Sequence, residues 1–162
     1  MYTKIPMKRI MSLIFALIIS LLSFAGTQQQ DIRYHNISMQ DGLRSNAVRN
    51  IVQDKFGFVW LGTDNGLCRY DGTSVHYYTI LQQGTDQYIS ALQNTENGLL
   101  VGTAHGAFLF DYKSETFIPF AKVLKKLINH FTSDADGNIW IATMGQGVAR
   151  YSPKTKTSRI YQ

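Results

Sequence analysis

Short apolar runs alternate with turn-forming residues along most of the chain. The runs at residues 58–63, 99–103 and 139–143 are nearly continuous in apolar content, and each ends in Gly-Thr or Ala-Thr. Such runs are typical of β-strands that are buried on both faces. Turns that contain glycine precede and follow each run, and glycine supplies the backbone freedom that a tight hairpin needs. The pattern predicts short strands joined by hairpins and leaves no room for long helices.

The pattern recurs with a period of 40 residues and without a gap. The equivalent positions are Trp60, Leu100 and Trp140, then Gly62, Gly102 and Ala142, then Thr63, Thr103 and Thr143. A period of about 40 to 45 residues built from short strands is typical of β-propeller blades, which are small four-stranded sheets. The repeat therefore predicts an all-β fold, a partial β-propeller of about three four-stranded antiparallel blades plus one leading outer strand.

Alignment of the three copies assigns four strands to each predicted blade. These strands cover residues 48–53, 58–63, 67–70 and 75–79 in the first copy, 88–93, 99–103, 107–110 and 116–120 in the second, and 128–133, 139–143, 148–151 and 158–161 in the third. The leading strand is predicted at residues 31–38 and a helical turn at residues 121–126. The corresponding division of the chain is 1–25 signal peptide, 26–47 leading strand and loop, 48–80 blade 1, 81–120 blade 2 and 121–162 blade 3.

Three blades fall below the usual minimum of four, so we expect an incomplete ring. The chain is then a fragment, a truncated reading frame, or an open stack that requires another chain. An incomplete set of blades exposes an apolar face at each end, and we expect the isolated chain to self-associate.

The first 25 residues have the pattern of a secretory signal peptide. Lys4, Lys8 and Arg9 precede an uncharged apolar run at residues 10–24. The small residues Ser23 and Ala25 occupy the positions that a signal peptidase recognises before its cleavage site. The run is 15 residues long, shorter than the roughly 20 residues needed to span a membrane. We therefore predict export, and the family resemblance given below implies the periplasm as the destination.

Composition changes this picture little. The formal charge is +5, but removing the three basic residues of the signal leaves 13 basic against 11 acidic residues. So balanced a distribution offers no stripe of positive charge that could follow phosphates, and we expect this segment not to contact nucleic acid.

The residues that could carry chemistry are better explained by the repeat. Trp60 and Trp140 are predicted to lie in the blade core, although exposed aromatic rings could stack on sugars. Asp134, Asp136 and Asn138 resemble part of a calcium loop, but equivalent positions in the other copies form turns, so a turn is predicted.

The remaining candidates form no recognisable site. The four histidines, His35, His76, His105 and His130, occupy different phases of the repeat and show no paired metal spacing. Cys68 has no second cysteine to pair with and is predicted to be a core residue. The recurring aspartates Asp54, Asp71, Asp111 and Asp134 fall at predicted turns. No catalytic residue, metal or cofactor is predicted.

The first copy is similar to a known family. The segments QDGLRSNAVRNIVQD at residues 40–54 and GFVWLGTDNGLCRYDG at residues 57–72 resemble the two-component regulator propeller repeats that form the periplasmic sensor of hybrid histidine kinases. The resemblance covers about residues 34–161. The second copy departs from it at Asn94 and Leu100, and the third has one residue inserted near Gly145.

The resemblance implies a non-catalytic, ligand-sensing segment of a two-component sensor that responds to oligosaccharides from glycans. It implies as partners the further propeller blades and kinase modules of a full-length sensor, which would be a homodimer anchored in the inner membrane. Candidate ligand loops, chosen because propellers commonly bind at blade ends, are residues 64–66, 105–106 and 145–147. An exported carbohydrate-active enzyme and a protein-interaction scaffold remain alternatives.

Overall fold

The computed structural model divides the chain into two units, Met1–His35 and Asn36–Gln162. The described residues are 34–80, 87–121 and 124–161, together with Met7, Lys8, Met11, Ser12, Ile14, Phe15 and Leu17. In the first unit these residues from Met7 to Leu17 are helical, and most of the predicted signal peptide lies outside the described residues. No helix among the described residues is long and apolar enough to cross a membrane.

The described residues of the second unit form three four-stranded antiparallel sheets, as the repeat predicts. The first sheet consists of β1 (Val48–Gln53), β2 (Val59–Thr63), β3 (Gly66–Tyr70) and β4 (Val75–Tyr78); the second of β5 (Ile89–Thr95), β6 (Gly98–Thr103), β7 (Gly106–Asp111) and β8 (Thr116–Phe120); the third of β9 (Ile128–Ser133), β10 (Ile139–Thr143), β11 (Val148–Ser152) and β12 (Thr157–Tyr161). The strands of each sheet pair in chain order, so every connection within a sheet is a hairpin. The three sheets have the arrangement of propeller blades and are called blades 1, 2 and 3 below.

Two glycines allow consecutive blades to approach closely. A Cβ atom on Gly62 in β2 would lie 2.7 Å from Cγ2 of Ile89, the first residue of β5. A Cβ on Gly102 in β6 would lie 2.9 Å from Ile128 in β9. Each glycine therefore provides the space into which the first strand of the next blade packs, and this accounts for the recurrence of glycine at this position.

Aromatic and aliphatic side chains fill the interface between blades 1 and 2. Trp60 and Phe110 are both fully buried, and their ring centroids are 4.9 Å apart. Tyr78 packs against both rings, at 5.1 Å from Trp60 and 5.4 Å from Phe110. Burial of Trp60 confirms the predicted core position.

A second cluster fills the interface between blades 2 and 3. Its buried members include Leu100, Ile128, Phe131 and Ile141. Leu100 takes the place that Trp60 has in blade 1, so the same face of each blade packs against the blade that follows.

Blade 2 differs from its neighbours in the length of its first hairpin. Gln53 pairs with Val59 in blade 1 and Ser133 with Ile139 in blade 3, which leaves turns at residues 54–58 and 134–138. In blade 2, Thr95 pairs with Gly98, which leaves only residues 96–97 in the turn. The strand predicted at residues 88–93 is consequently displaced to Ile89–Thr95.

Two further predicted elements differ from the structure in their described residues. Tyr34 to Ser38, the described part of the predicted leading strand, pairs with no strand. Ser38 instead caps a short 3₁₀ helix at Met39–Asp41, and Asp41 Oδ2 accepts a 2.8 Å hydrogen bond from Ser38 N. Of the helical turn predicted at residues 121–126, residues 124–126 are not helical, while residues 122–123 lie outside the described residues; Leu124 N donates a 2.9 Å hydrogen bond to Ala121 O across them.

Candidate functional site

The loops predicted to bind ligand lie at the end of the blades where β2 joins β3 and where the equivalent strands join. A threonine closes each turn. Thr63 Oγ1 donates a 2.8 Å hydrogen bond to Gly66 O and accepts one from Asn65 N. Thr103 makes the same pair of hydrogen bonds with Gly106 and His105, and Thr143 makes them with Gly147 and Gln146. The recurring threonine is thus explained by turn geometry.

Two polar side chains in these loops contact neighbouring segments of the same polypeptide. Asp64 forms an ion pair with Arg49 at 2.7 Å, and this hydrogen bond lowers the pKa of Asp64. Gln146 Oε1 accepts a hydrogen bond from Lys125 N at 3.3 Å. A ligand role for the loops stays a prediction.

At the opposite end of blade 1, Asp54 organises the turn at residues 54–58. Its Oδ1 accepts hydrogen bonds from Phe56 N at 2.9 Å and Phe58 N at 3.0 Å. Its Oδ2 accepts one from Nε1 of Trp60 at 2.8 Å. One carboxylate therefore closes the turn and also satisfies the polar atom of a buried indole.

Asp134 does the same in blade 3. It accepts hydrogen bonds from Asp136 N, Asn138 N and Nε1 of Trp140, the last at 2.9 Å. The bond from Trp140, followed by those from Asn138, lowers the pKa of Asp134 to about 2. The cluster that resembles a calcium loop is thus a turn closed by its own carboxylate.

The other recurring aspartates close the outer hairpins. Asp71 Oδ1 accepts hydrogen bonds from Ser74 N at 2.7 Å and Thr73 N at 2.8 Å, and these lower the pKa of Asp71. Asp111 accepts one from Lys113 N at 2.9 Å. These carboxylates are held by the backbone of their own turns.

Of the remaining candidate residues, Cys68 and His76 lie on adjacent strands of blade 1, β3 and β4. His76 lies 3.2 Å from Asp71, while Cys68 is buried in blade 1, where burial raises the pKa of its thiol. Within the described part of the chain, no group of three or more His, Cys, Asp or Glu side chains could hold a metal ion.

Two clefts lie at the end of the blades that carries the aspartate turns. The cleft between blades 1 and 2 has a volume of about 480 Å³ and is lined in part by Lys55, Phe56, Asn97 and Tyr112. The cleft between blades 2 and 3 has a volume of about 500 Å³, and its lining includes Asn97, Asp136 and Lys154. Sequence reasoning missed both clefts, because it placed the candidate loops at the other end.

The comparison with protein families supports the resemblance found in the first copy. The model of the two component regulator propeller matches residues 42–65. These residues run from the glycine after the 3₁₀ helix to the β2–β3 turn, and they include both Asp54 and Trp60. The comparison with curated proteins finds no match.

Solved structures share the fold. The chain matches the extracellular domain of the hybrid two component system BT3049 from B. thetaiotaomicron with a TM-score of 0.71 and 22% identity, over 79% of this chain and 20% of that one. It matches the extracellular domain of the one component system BT4673 from B. thetaiotaomicron with a TM-score of 0.64 and 20% identity, over 77% of this chain and 18% of that one.

A third match is to PorZ, a surface component of the type-IX secretion system of Porphyromonas gingivalis. The TM-score is 0.55 and the identity 16%, over 80% of this chain and 21% of PorZ. The chain therefore spans about a fifth of the length of the solved structures that it matches.

Proposed function

We propose that the three blades are a ligand-sensing segment of an exported two-component sensor, and that the ligand is an oligosaccharide derived from glycans. The observation that carries this proposal is the match of residues 42–65 to the two component regulator propeller. The fold shared with extracellular domains of two component systems is consistent with it. In this reading the N-terminal segment directs export to the periplasm.

The side chains favour binding over catalysis. Hydrolysis of a glycosidic bond commonly requires two carboxyl groups that flank the scissile bond, about 5 to 10 Å apart. Asp54, Asp71, Asp111 and Asp134 instead accept hydrogen bonds from the backbone of their own turns. Such carboxylates are structural, and we therefore propose that this segment performs no reaction.

The outer faces of blades 1 and 3 favour a place within a larger propeller. Trp60 is completely buried under blade 2, whereas the equivalent Trp140 on blade 3 is half-buried. Ile51 on blade 1 is 69% exposed, whereas its counterpart Phe131, which packs against blade 2, is 4% exposed. Each face carries the residues that pack against another blade elsewhere in the chain, so we propose that further blades cover both.

The sensor proposal is tested by adding a panel of neutral and acidic oligosaccharides to the purified chain. Thermal unfolding and product release are measured on the same samples. A ligand that raises the unfolding temperature and is recovered intact supports sensing. Release of shortened sugars would instead indicate an enzyme. A stable protein partner, together with no effect of any sugar, would indicate a scaffold.

A further inference from the structure

The short hairpin of blade 2 creates a recess between two longer turns. Residues 54–58 and 134–138 each extend beyond the strands that they join, while residues 96–97 close the hairpin of blade 2 directly. Gly98 permits this tight closure, since it has a φ of +148° and a Cβ there would overlap Phe110 O. The two clefts lie on either side of this hairpin and share Glu96 and Asn97 in their linings.

An exposed aromatic ring stands at one side of the recess. Phe56 is 58% exposed and contacts Tyr112 edge-to-face, with ring centroids 5.2 Å apart. In the matching five-residue turn of blade 3 the equivalent residue is Asp136, so the turn itself does not require an aromatic residue. Lys55 Nζ lies 5.4 Å from the centroid of the Phe56 ring and donates a 3.5 Å hydrogen bond to Glu96 O, so the ammonium group covers part of the ring. The rest of the apolar surface of Phe56 faces solvent, where the C–H face of a sugar ring could stack.

The charged residues around the two clefts balance. Lys55, Lys113 and Lys154 supply three positive charges, and Glu96, Asp111 and Asp136 supply three negative ones. A balanced lining gives no electrostatic preference for an anionic or a cationic ligand. It does supply hydrogen-bond donors and acceptors in similar numbers, and hydroxyl groups can use both.

We propose that the recess is a binding groove for a neutral, linear oligosaccharide. One sugar unit stacks on Phe56 beside Tyr112, and the chain crosses the hairpin at Glu96 and Asn97 toward Asp136 and Lys154. Each cleft has a volume within the range typical of small-ligand sites, about 300 to 1,000 Å³. This inference rests on the proposed sensing function. It places the ligand at the end of the blades opposite the loops predicted from the sequence, residues 64–66, 105–106 and 145–147.

The groove is tested with the full chain and neutral tetrasaccharides: cellotetraose, xylotetraose, mannotetraose and maltotetraose. Affinity is measured by calorimetry for the unchanged chain, Phe56→Ala and Asn97→Ala. Loss of a stacking contact worth about 1.4 kcal/mol weakens binding about tenfold, so this is the result expected for Phe56→Ala. Met144→Ala is the matched control, because Met144 is also an exposed apolar residue (67%) but belongs to the opposite end of blade 3.

The outcomes separate the groove from the sensing function. Weakened binding in Phe56→Ala and Asn97→Ala, with Met144→Ala unchanged, supports the groove. Binding that survives both groove variants but is weakened by His105→Ala or Gln146→Ala overturns the groove and leaves sensing intact. Failure of all four sugars to bind overturns the groove as stated, while sensing is judged separately by the acidic sugars of the wider panel. Phe56 and Asn97 are exposed turn residues, and an unchanged unfolding temperature verifies that each variant is folded.

Discussion

The indole of Trp60 donates a 2.8 Å hydrogen bond to Oδ2 of Asp54, the first residue of the turn that leads into the same strand. Trp140 and Asp134 repeat this contact at 2.9 Å. In blade 2 neither partner is present: Leu100 takes the place of Trp60, and Thr95, which pairs with Gly98, takes the place that Asp54 has opposite Phe58. A leucine side chain has no polar atom that would require a carboxylate partner.

We expect Asp54→Ala to destabilise the protein more than Asp134→Ala. The first change leaves Nε1 of fully buried Trp60 without a hydrogen bond, at a cost of about 1 to 3 kcal/mol. Trp140 is half-buried, so its Nε1 can donate a hydrogen bond to water instead. Urea unfolding measures the difference, with exposed Asp136→Ala as a control. Equal losses for Asp54→Ala and Asp136→Ala would contradict this role for Asp54.

We expect Asp134 to contribute to the loss of stability in acid. Hydrogen bonds from Trp140 and Asn138 lower its pKa from the ordinary 3.8 to about 2 in the folded state. A carboxyl with a lowered folded-state pKa stabilises the protein above its unfolded pKa, and this contribution is lost as the pH falls from about 4 to 2. Unfolding temperatures of the unchanged chain and Asp134→Asn between pH 6 and 2 should therefore converge in acid. A constant difference over this range would exclude the linkage.

Gly62→Ala should loosen the packing between blades 1 and 2. The new methyl group would lie 2.7 Å from Cγ2 of Ile89, and overpacking of this kind costs about 1 to 3 kcal/mol. Denaturant unfolding of Gly62→Ala, Ile89→Ala and the double variant tests the contact. We expect the double variant to be less destabilised than the sum of the two single variants, because Ile89→Ala removes the clashing atom. Additive losses would indicate that the two residues do not compete for the same space.

The two tryptophans should differ in access to solvent. Trp60 is fully buried, whereas Trp140 is half-buried and stacks on Tyr161 with centroids 5.7 Å apart. Acrylamide should quench the fluorescence of Trp140 in the Trp60→Phe variant more than that of Trp60 in the Trp140→Phe variant. If acrylamide quenched both tryptophans equally at all protein concentrations, the outer face of blade 3 would already be covered. If Trp140 became more quenchable on dilution, self-association would be the cause of its protection.

The strands and blades could be predicted because their signals are local. Apolar residues mark each strand, and glycine and threonine mark the hairpins at both ends of β2 and its equivalents, with aspartate at the first hairpin in blades 1 and 3. Predicted and observed bounds agree exactly for β1, β8, β9 and β10, and most of the other strands differ by a single residue. The bounds of β5 differ more, because the first hairpin of blade 2 is shorter than those of blades 1 and 3. The spacing of 40 residues between equivalent positions of β2, β6 and β10 does not reveal this difference, since β5 is shifted along the sequence.

The all-β repeat, the three blades and the likeness to a sensor propeller depend on residue order over a few positions, so they could be predicted from the sequence. Tertiary structure alone decided that Trp60 is buried while the equivalent Trp140 is half-buried, because burial depends on whether another blade covers the same face. It also decided that Tyr34 to Ser38 remains unpaired, and that Phe56 and Asn97 line one cleft. Those features depend on contacts between residues that are distant in the sequence, and the repeat pattern does not predict such contacts.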